Sequence, residues 1–287
     1  MAEIQAEFGA PVSLEDFERK AQMLNYVNHR AIFEGMNANL WTPNSGRLLW
    51  MTQPAWPSTM WQILSSDYDT QASFYGTMKA CEPLHVQLNL LTYQVDVINT
   101  TRDSQKAMTV SAKVYSLANT LLLQAKEKTD VSADASVVSL KLDLAPLFSR
   151  GMVIVELELS DSTGKVVSQN LYWLGEKSSS YRELTRLSKS TLQASATSTM
   201  NDEMAKFRVQ LTNPSSVVSL ANKLTLIAVK DKTRILPAYF SDNYISLLPG
   251  ETRLVEIECP AGALKDKAEI VIRGWNATTQ TVNITDD

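Results

Sequence analysis

The sequence predicts a mainly β protein with a helical leader, and three observations carry that prediction. From about Leu84 the apolar residues change from a helical spacing to alternation, the period of a strand with one buried face. Turn-forming clusters separate the alternating runs, as in Asp161-Ser162-Thr163-Gly164 and Leu248-Pro249-Gly250-Glu251. Two runs repeat one motif: Tyr93-Gln-Val-Asp-Val-Ile-Asn99 and Phe207-Arg-Val-Gln-Leu-Thr-Asn213 each set an aromatic, alternating apolar residues, then Asn at a turn. Short strands at this density suit an immunoglobulin-like β-sandwich, and the repeat suggests two copies of it.

The leader reads as helix, strand, helix. Ser13-Leu14-Glu15-Asp16 is a capping-box start, and Phe17, Ala21, Leu24 and Ala31 follow at helical spacing until Gly35, which predicts a helix over 14–34. Leu48–Gln53 is short, mostly apolar and ends at Pro54, as expected of a strand buried on both faces. A second helix is expected over 70–81, before Pro83. Seven strands follow, over 86–91, 93–99, 108–116, 121–128, 137–144, 152–160 and 166–174. A polar stretch from Ser178 to Ser190 is the expected linker, and the second set covers 191–199, 206–213, 223–230, 253–259, 269–273 and 280–285. The predicted domains are 1–84, 85–183 and 184–287.

The chain has 287 residues, 44% of them hydrophobic and 20% charged, with a formal net charge of −4. That balance argues against a nucleic-acid partner, which wants clustered Lys and Arg, and gives no basic face for a membrane. No apolar run approaches the roughly 20 residues that cross a bilayer. The opening MAEIQAEFGAP has no signal-peptide pattern and is expected to begin a segment of a longer protein. Cys81 and Cys259 are read as small buried hydrophobes and not as a disulfide; His29 and His85 are read as structural. With no zinc, phosphate-loop, dinucleotide or serine-hydrolase signature, no cofactor or metal is expected.

The chemistry is concentrated in the leader. Four of the six tryptophans (Trp41, Trp50, Trp56, Trp61) fall within residues 41–61, with Trp56 directly before Pro57. A core fills space with Leu, Ile and Val and does not need indoles packed so densely, each with an N–H that must find a partner. A sugar cleft does need them, because flat rings lie against the apolar C–H faces of a pyranose.

The chain resembles the C-terminal third of exo-β-D-glucosaminidases and related β-mannosidases of glycoside hydrolase family 2. The resemblance rests on Phe8-Gly-Ala-Pro-Val-Ser-Leu-Glu-Asp-Phe17, Arg19-Lys-Ala-Gln22, Leu49-Trp-Met51, Ala55-Trp-Pro-Ser58 and Tyr75-Gly-Thr-Met-Lys-Ala80. It continues through Glu82-Pro-Leu-His85, Tyr172-Trp-Leu174, Ser246-Leu-Leu-Pro-Gly-Glu-Thr252 and Arg273-Gly-Trp-Asn276. It implies that residues 1–84 are the tail end of a truncated (β/α)8 barrel, with Leu48–Gln53 as its eighth strand, and that two sandwiches follow. It further implies that the nucleophile and the acid/base carboxylate lie upstream of this sequence.

Retaining glycosidases need two carboxyl groups about 5–5.5 Å apart. Leu48–Gln53 offers none, and Glu34, Asp67 and Asp69 fall on or beside helices, where solvated or capping roles are expected. No catalytic residue is therefore assigned, and the chain alone is expected to be inactive. The resemblance implies that Trp50 takes the position where family 2 enzymes place an aromatic floor under the sugar that is cleaved, a role set against that of a core tryptophan. Gln53 either bonds a sugar hydroxyl or serves a turn. Trp56 either borders the pocket or packs under the next loop. Trp41, Trp61, Trp173 and Trp275 are read as core or structural. Asn99, Asn276 and Asn283 begin N-glycosylation sequons. The expected partner is an oligosaccharide or glycan. The competing readings are a non-catalytic carbohydrate-binding or adhesion protein, which would show a row of aromatics on a sandwich face, and a structural spacer. An isolated barrel strand would leave unpaired edges, so residues 1–84 are expected to fold back on the first sandwich, to be partly disordered, or to self-associate.

Overall fold

In the computed structural model, which describes residues 2–58 and 62–286, the α-helices among the described residues lie in the leader, and the rest is strands, loops and short 3-10 turns at Leu147–Arg150, Ser178–Arg186 and Ala261–Ala263. The chain divides into two units, one formed by residues through Trp50 with Gly76–Thr185, the other by Met51–Tyr75 with Arg186 onward.

In the first unit, a seven-residue helix α1 (Ala2–Phe8) precedes the long helix α2 (Leu14–Asn37). The sequence reading passed over α1, whose only apolar signal is Ile4 and Phe8, four apart and buried. Ser13 caps α2 as expected, its Oγ accepting from Asp16 N at 3.1 Å. Asp16 turns back to accept from Val12 N and pairs with Lys20 at 2.8 Å. Gly35 does not stop the helix, which runs to Asn37 because its last carbonyls find partners downstream. A short helix α3 (Ala72–Ala80) follows, and the boundary between the units falls within it.

The seven expected strands of the first sandwich all form: β1 (Leu84–Leu88), β2 (Gln94–Asn99), β3 (Gln105–Ser116), β4 (Leu121–Val131), β5 (Ala135–Lys141), β6 (Val153–Ser160) and β7 (Val166–Leu174). They make two antiparallel sheets, β1-β2-β5 and β4-β3-β6-β7, whose inner faces meet in one core. Val86, Val95 and Val97 from one sheet pack with Val110, Ala112, Val155 and Leu157 from the other, all fully buried. Strands β1 and β7 are the edges on one side. The outward N–H groups of β1 are satisfied by β7 side chains instead of a neighbouring ladder: Val86 N donates to Ser168 Oγ at 3.2 Å and Leu88 N to Tyr172 Oη at 2.9 Å.

In the second unit, β8 (Gln193–Met200), β9 (Met204–Thr212), β10 (Ser219–Ala228), β11 (Tyr239–Phe240), β12 (Ile245–Leu247), β13 (Thr252–Pro260), β14 (Ala268–Arg273) and β15 (Gln280–Asp286) run in the order β11-β13-β9-β8-β15-β14-β10-β12. Strand β15 joins two layers: Gln280–Asn283 pair with β14, and Ile284–Asp286 pair in parallel with β8. The two- and three-residue strands β11 and β12 were not expected, being too short to show a period. Strand β10 begins four residues before its expected start, because buried Ser219 and Asn222 flank a bulge that breaks the alternation. The repeated Asn does the same work twice. Asn99 Nδ2 donates to the carbonyls of Asp103 and Ser132, and Asn213 Nδ2 to those of Val217 and Leu247.

Several expectations are corrected. Leu48–Gln53 forms no strand: Leu48 and Trp50 stand in solvent, and the segment pairs with no ladder among the described residues. Asp67 and Asp69 are clamped by Arg234 at 2.5 and 2.7 Å, not merely solvated. Cys81 is exposed, whereas Cys259 is buried, and both thiols are free. Asn99 and Asn276 are buried with their amides in hydrogen bonds, which leaves Asn283 as the sequon residue facing solvent.

Gly76 lies against α2, where an added Cβ would fall on the Tyr26 carbonyl oxygen. Gly76→Ala is expected to destabilise the chain by about 1–3 kcal/mol, read as a lower urea midpoint with an unchanged slope.

Candidate functional site

Residues 38–50 leave the C-terminus of α2 as an irregular segment fastened at both sides. Arg47 Nη1 donates to Phe33 O at 2.8 Å, with its guanidinium 4.8 Å from the Phe33 ring centroid. Asn39 and Asn44 donate to Gly35 O and Met36 O at 2.9 and 3.1 Å. Donors here meet the orphan carbonyls and the negative end of the helix dipole together. On the other side Trp41 Nε1 donates to Asp134 O at 2.6 Å and Ser136 Oγ to Leu40 O at 3.4 Å. Trp41 is thus a half-exposed anchor and not a core residue, because its N–H can be satisfied only at the rim of the sheet.

This segment presents Trp50 to solvent, 81% exposed. In the second unit Trp56 is 71% exposed, so it packs under no loop, and Gln53 Nε2 donates to Ser66 O at 3.4 Å. The two units hold these residues separately, Trp50 in the first and Gln53 with Trp56 in the second. Trp61 lies outside the described residues. Trp173 and Trp275 are buried, and Trp173 stacks on Tyr26 of α2 at 6.2 Å between centroids.

Behind the segment is a buried polar cluster that sequence reasoning missed. Glu34, expected at a surface or cap, is 3% exposed. Its Oε1 accepts from Asn170 Nδ2 at 2.7 Å and Tyr172 Oη at 2.9 Å of β7, and lies 3.2 Å from His85 Nε2 of β1. The other ring nitrogen, His85 Nδ1, lies 3.0 Å from Glu82 Oε2, which also accepts from Ser168 Oγ at 2.7 Å. Arg30, one turn before Glu34, donates to Asn170 Oδ1 and Leu171 O at 2.8 and 2.7 Å, its guanidinium 4.1 Å from the Tyr172 ring centroid. Asn37 and Gln87 complete the seam: Gln87 Nε2 donates to Glu34 O at 2.8 Å and Asn37 Nδ2 to Ala80 O at 2.7 Å. The sequence signals were an Arg–Glu pair four apart and Glu82 three residues before His85, but their β7 partners lie far along the chain, 136 residues from Glu34 to Asn170 and 86 from Glu82 to Ser168.

Burial alone would neutralise these groups, and their partners decide otherwise. Burial lowers the His85 pKa, and hydrogen bonds to the Glu34 and Glu82 carboxylates more than restore it, leaving it above the ordinary histidine value. Burial raises Glu82, but His85 and Lys79 pull it down to about 2. Asp96, on β2, has no such cation: burial pushes it up to about 6, with the Glu34 charge adding to the rise and Gln87 opposing it. His29 falls below the ordinary value through burial, although its ring bonds Asn25 O.

Comparison with known proteins gives this geometry a context. Residues 91–176 match the sequence model of the mannosidase Ig/CBM-like domain, and residues 170–277 that of the exo-beta-D-glucosaminidase Ig-fold domain. The chain is 32% identical to an exo-beta-D-glucosaminidase of Amycolatopsis orientalis, with 96% of this chain and 29% of that protein aligned. It is 28% identical to a mannosylglycoprotein endo-beta-mannosidase of Lilium longiflorum, over 96% of this chain and 35% of that one. The crystal structure of the Amycolatopsis orientalis exo-chitosanase CsxA superposes with a TM-score of 0.90 at 29% identity, covering 98% of this chain and 36% of that one. The chain therefore spans about a third of the length of these relatives. The resemblance to the exo-β-D-glucosaminidase and β-mannosidase type of glycoside hydrolase family 2, drawn first from scattered motifs, holds along nearly the whole chain.

Glu34→Ala should cost about 3–5 kcal/mol, because it strands Arg30 and His85 in the interior. Asp96→Asn should act in the opposite direction. The folded state holds the Asp96 proton more tightly than the unfolded chain, so stability falls as pH rises from 3.8 through about 6. Denaturation at pH 8 should find the variant more stable by about 1–3 kcal/mol, and the gain should vanish near pH 4.

Proposed function

We propose that this chain is part of a retaining glycoside hydrolase that releases terminal β-linked glucosamine or mannose, and that it contributes sugar-binding aromatics and two accessory sandwiches but not the catalytic carboxylates. In this reading residues 1–84 are the C-terminal remnant of the catalytic barrel, and 85–183 and 184–287 are the sandwiches. The observation that carries the proposal is the exposure of Trp50 and Trp56, at 81% and 71% the most exposed aromatic side chains among the described residues. Large apolar rings left in solvent mark a binding face. Trp50 would lie against the face of a bound sugar. Trp56, and the amide of Gln53, would contribute further sugar contacts from their own unit.

The missing half of the chemistry also has support. The carboxylates that the fold brings together are committed to cations: Asp67 and Asp69 to Arg234, Glu34 and Glu82 to His85. Neither pair is free to act as nucleophile and acid. The carbohydrate-binding alternative loses support on the second sandwich, whose solvent face carries the ion pairs Lys206–Glu258 and Arg208–Glu256 where stacking rings would be needed.

The chain and an intact enzyme containing it should be assayed together on chromogenic β-glucosaminide and β-mannoside. Turnover is expected from the intact enzyme alone, and Trp50→Ala should lower its kcat/KM by about 10- to 100-fold, or about 1.4–2.8 kcal/mol. In this chain the same substitution should leave stability within about 0.5 kcal/mol. Comparable turnover by the chain alone would overturn the proposal.

A further inference from the structure

We infer that His85 is a positioning residue that works as an imidazolium: its second proton holds α2 on the first sandwich, and so fixes the segment that presents Trp50. The argument begins with donor counting. Both ring nitrogens face carboxylate oxygens, Glu82 Oε2 at 3.0 Å and Glu34 Oε1 at 3.2 Å. A neutral imidazole has one N–H and one lone pair, so one of these contacts would set a lone pair against an oxygen. Neither oxygen is free to supply the missing proton. Glu34 Oε1 already accepts from Asn170 and Tyr172, and Glu82 Oε2 from Ser168. A proton on each ring nitrogen turns both contacts into hydrogen bonds, donated to Glu82 Oε2 and to Glu34 Oε1.

The surrounding charges make that proton consequential. From α2 come Glu34 and Arg30; from the turn before β1, Glu82, whose other oxygen pairs with Lys79 of α3 at 2.7 Å; from β2, Asp96; and from β7, Tyr172. With His85 neutral, three carboxyl groups face two cations in a seam whose Glu34 and Arg30 are buried. A cleft of about 280 Å³, lined by Ala31, Glu34, Gly35, Gln87 and Leu91 among others, opens beside the cluster and gives water a route to it. The effect reaches Trp50 through bonds already described: Glu34 fixes α2, the last carbonyls of α2 hold Asn44 and Arg47, and Trp50 lies three residues on. A group with a raised folded pKa stabilises fully below its unfolded value and loses that contribution as pH rises through the folded one. Alkaline pH should therefore loosen α2 and residues 38–50.

The sequence contains two histidines, so the ring nitrogens of the 15N-histidine-labelled full chain can be followed by NMR and assigned with His29→Gln. The His85 midpoint is expected above that of a histidine in a short peptide measured alongside, with both nitrogens protonated below it, and the His29 midpoint below. Tryptic cleavage after Arg47, normalised at each pH to a small peptide substrate, should rise at least threefold through the His85 midpoint. In His85→Gln it should be fast and independent of pH. A His85 nitrogen that stays unprotonated below the peptide midpoint would overturn the inference. So would His85 titration with flat cleavage, which would leave the residue merely structural. Both wild-type readouts decide even if His85→Gln does not fold. Neither involves a sugar, so the outcome is independent of whether Trp50 lines a glycosidase pocket.

Discussion

A carboxylate in a protein interior must be answered by donors from several directions, and Glu34 imposes that constraint on the first unit. Its partners come from α2 itself, from β1 and from β7, so the helix cannot dock without both sandwich edges in register. The same side chains serve a second purpose. Asn170 and Tyr172 also bind the outward backbone of β1, through Val86 O and Leu88 N. Two sheet edges that would otherwise face water are closed by polar side chains and then covered by a helix.

What was legible in the sequence follows from the range over which each interaction acts. Alternation is local, and it located all the strands of the first sandwich, with Val166–Leu174 matching residue for residue. Capping is local too, and Ser13 began α2 where expected. The leader strand over 48–53 was misread because four apolar residues in a row do not say whether a neighbouring strand exists to pair with them. Gly35 was misread as a stop because the donors that extend α2 lie on Asn39, Asn44 and Arg47, past the turn. Glu34 and His85 were given bland roles because their meaning depends on Asn170 and Tyr172, which no spacing rule connects to them.

The exposed indoles show a similar division. Their density in the sequence suggests a sugar cleft; in the structure Trp50 and Trp56 stand in solvent. Trp41 belongs to the same cluster but spends its N–H on Asp134 O and pins the segment instead. Composition does not separate the three rings; the hydrogen bond to Asp134 O is what tells the anchor from the solvent-facing pair.

The interleaving of the two units along the chain has a practical consequence. The first takes in residues up to Trp50 and resumes at Gly76, while the second claims Met51–Tyr75 and resumes at Arg186. No single scissile position yields either unit whole. A break near residue 185 deprives the latter half of Tyr75, whose ring sits 6.0 Å from that of Tyr244, and of the two aspartates that grip Arg234. Anyone dissecting this polypeptide would do better to graft the 51–75 excursion back onto the latter half than to truncate it.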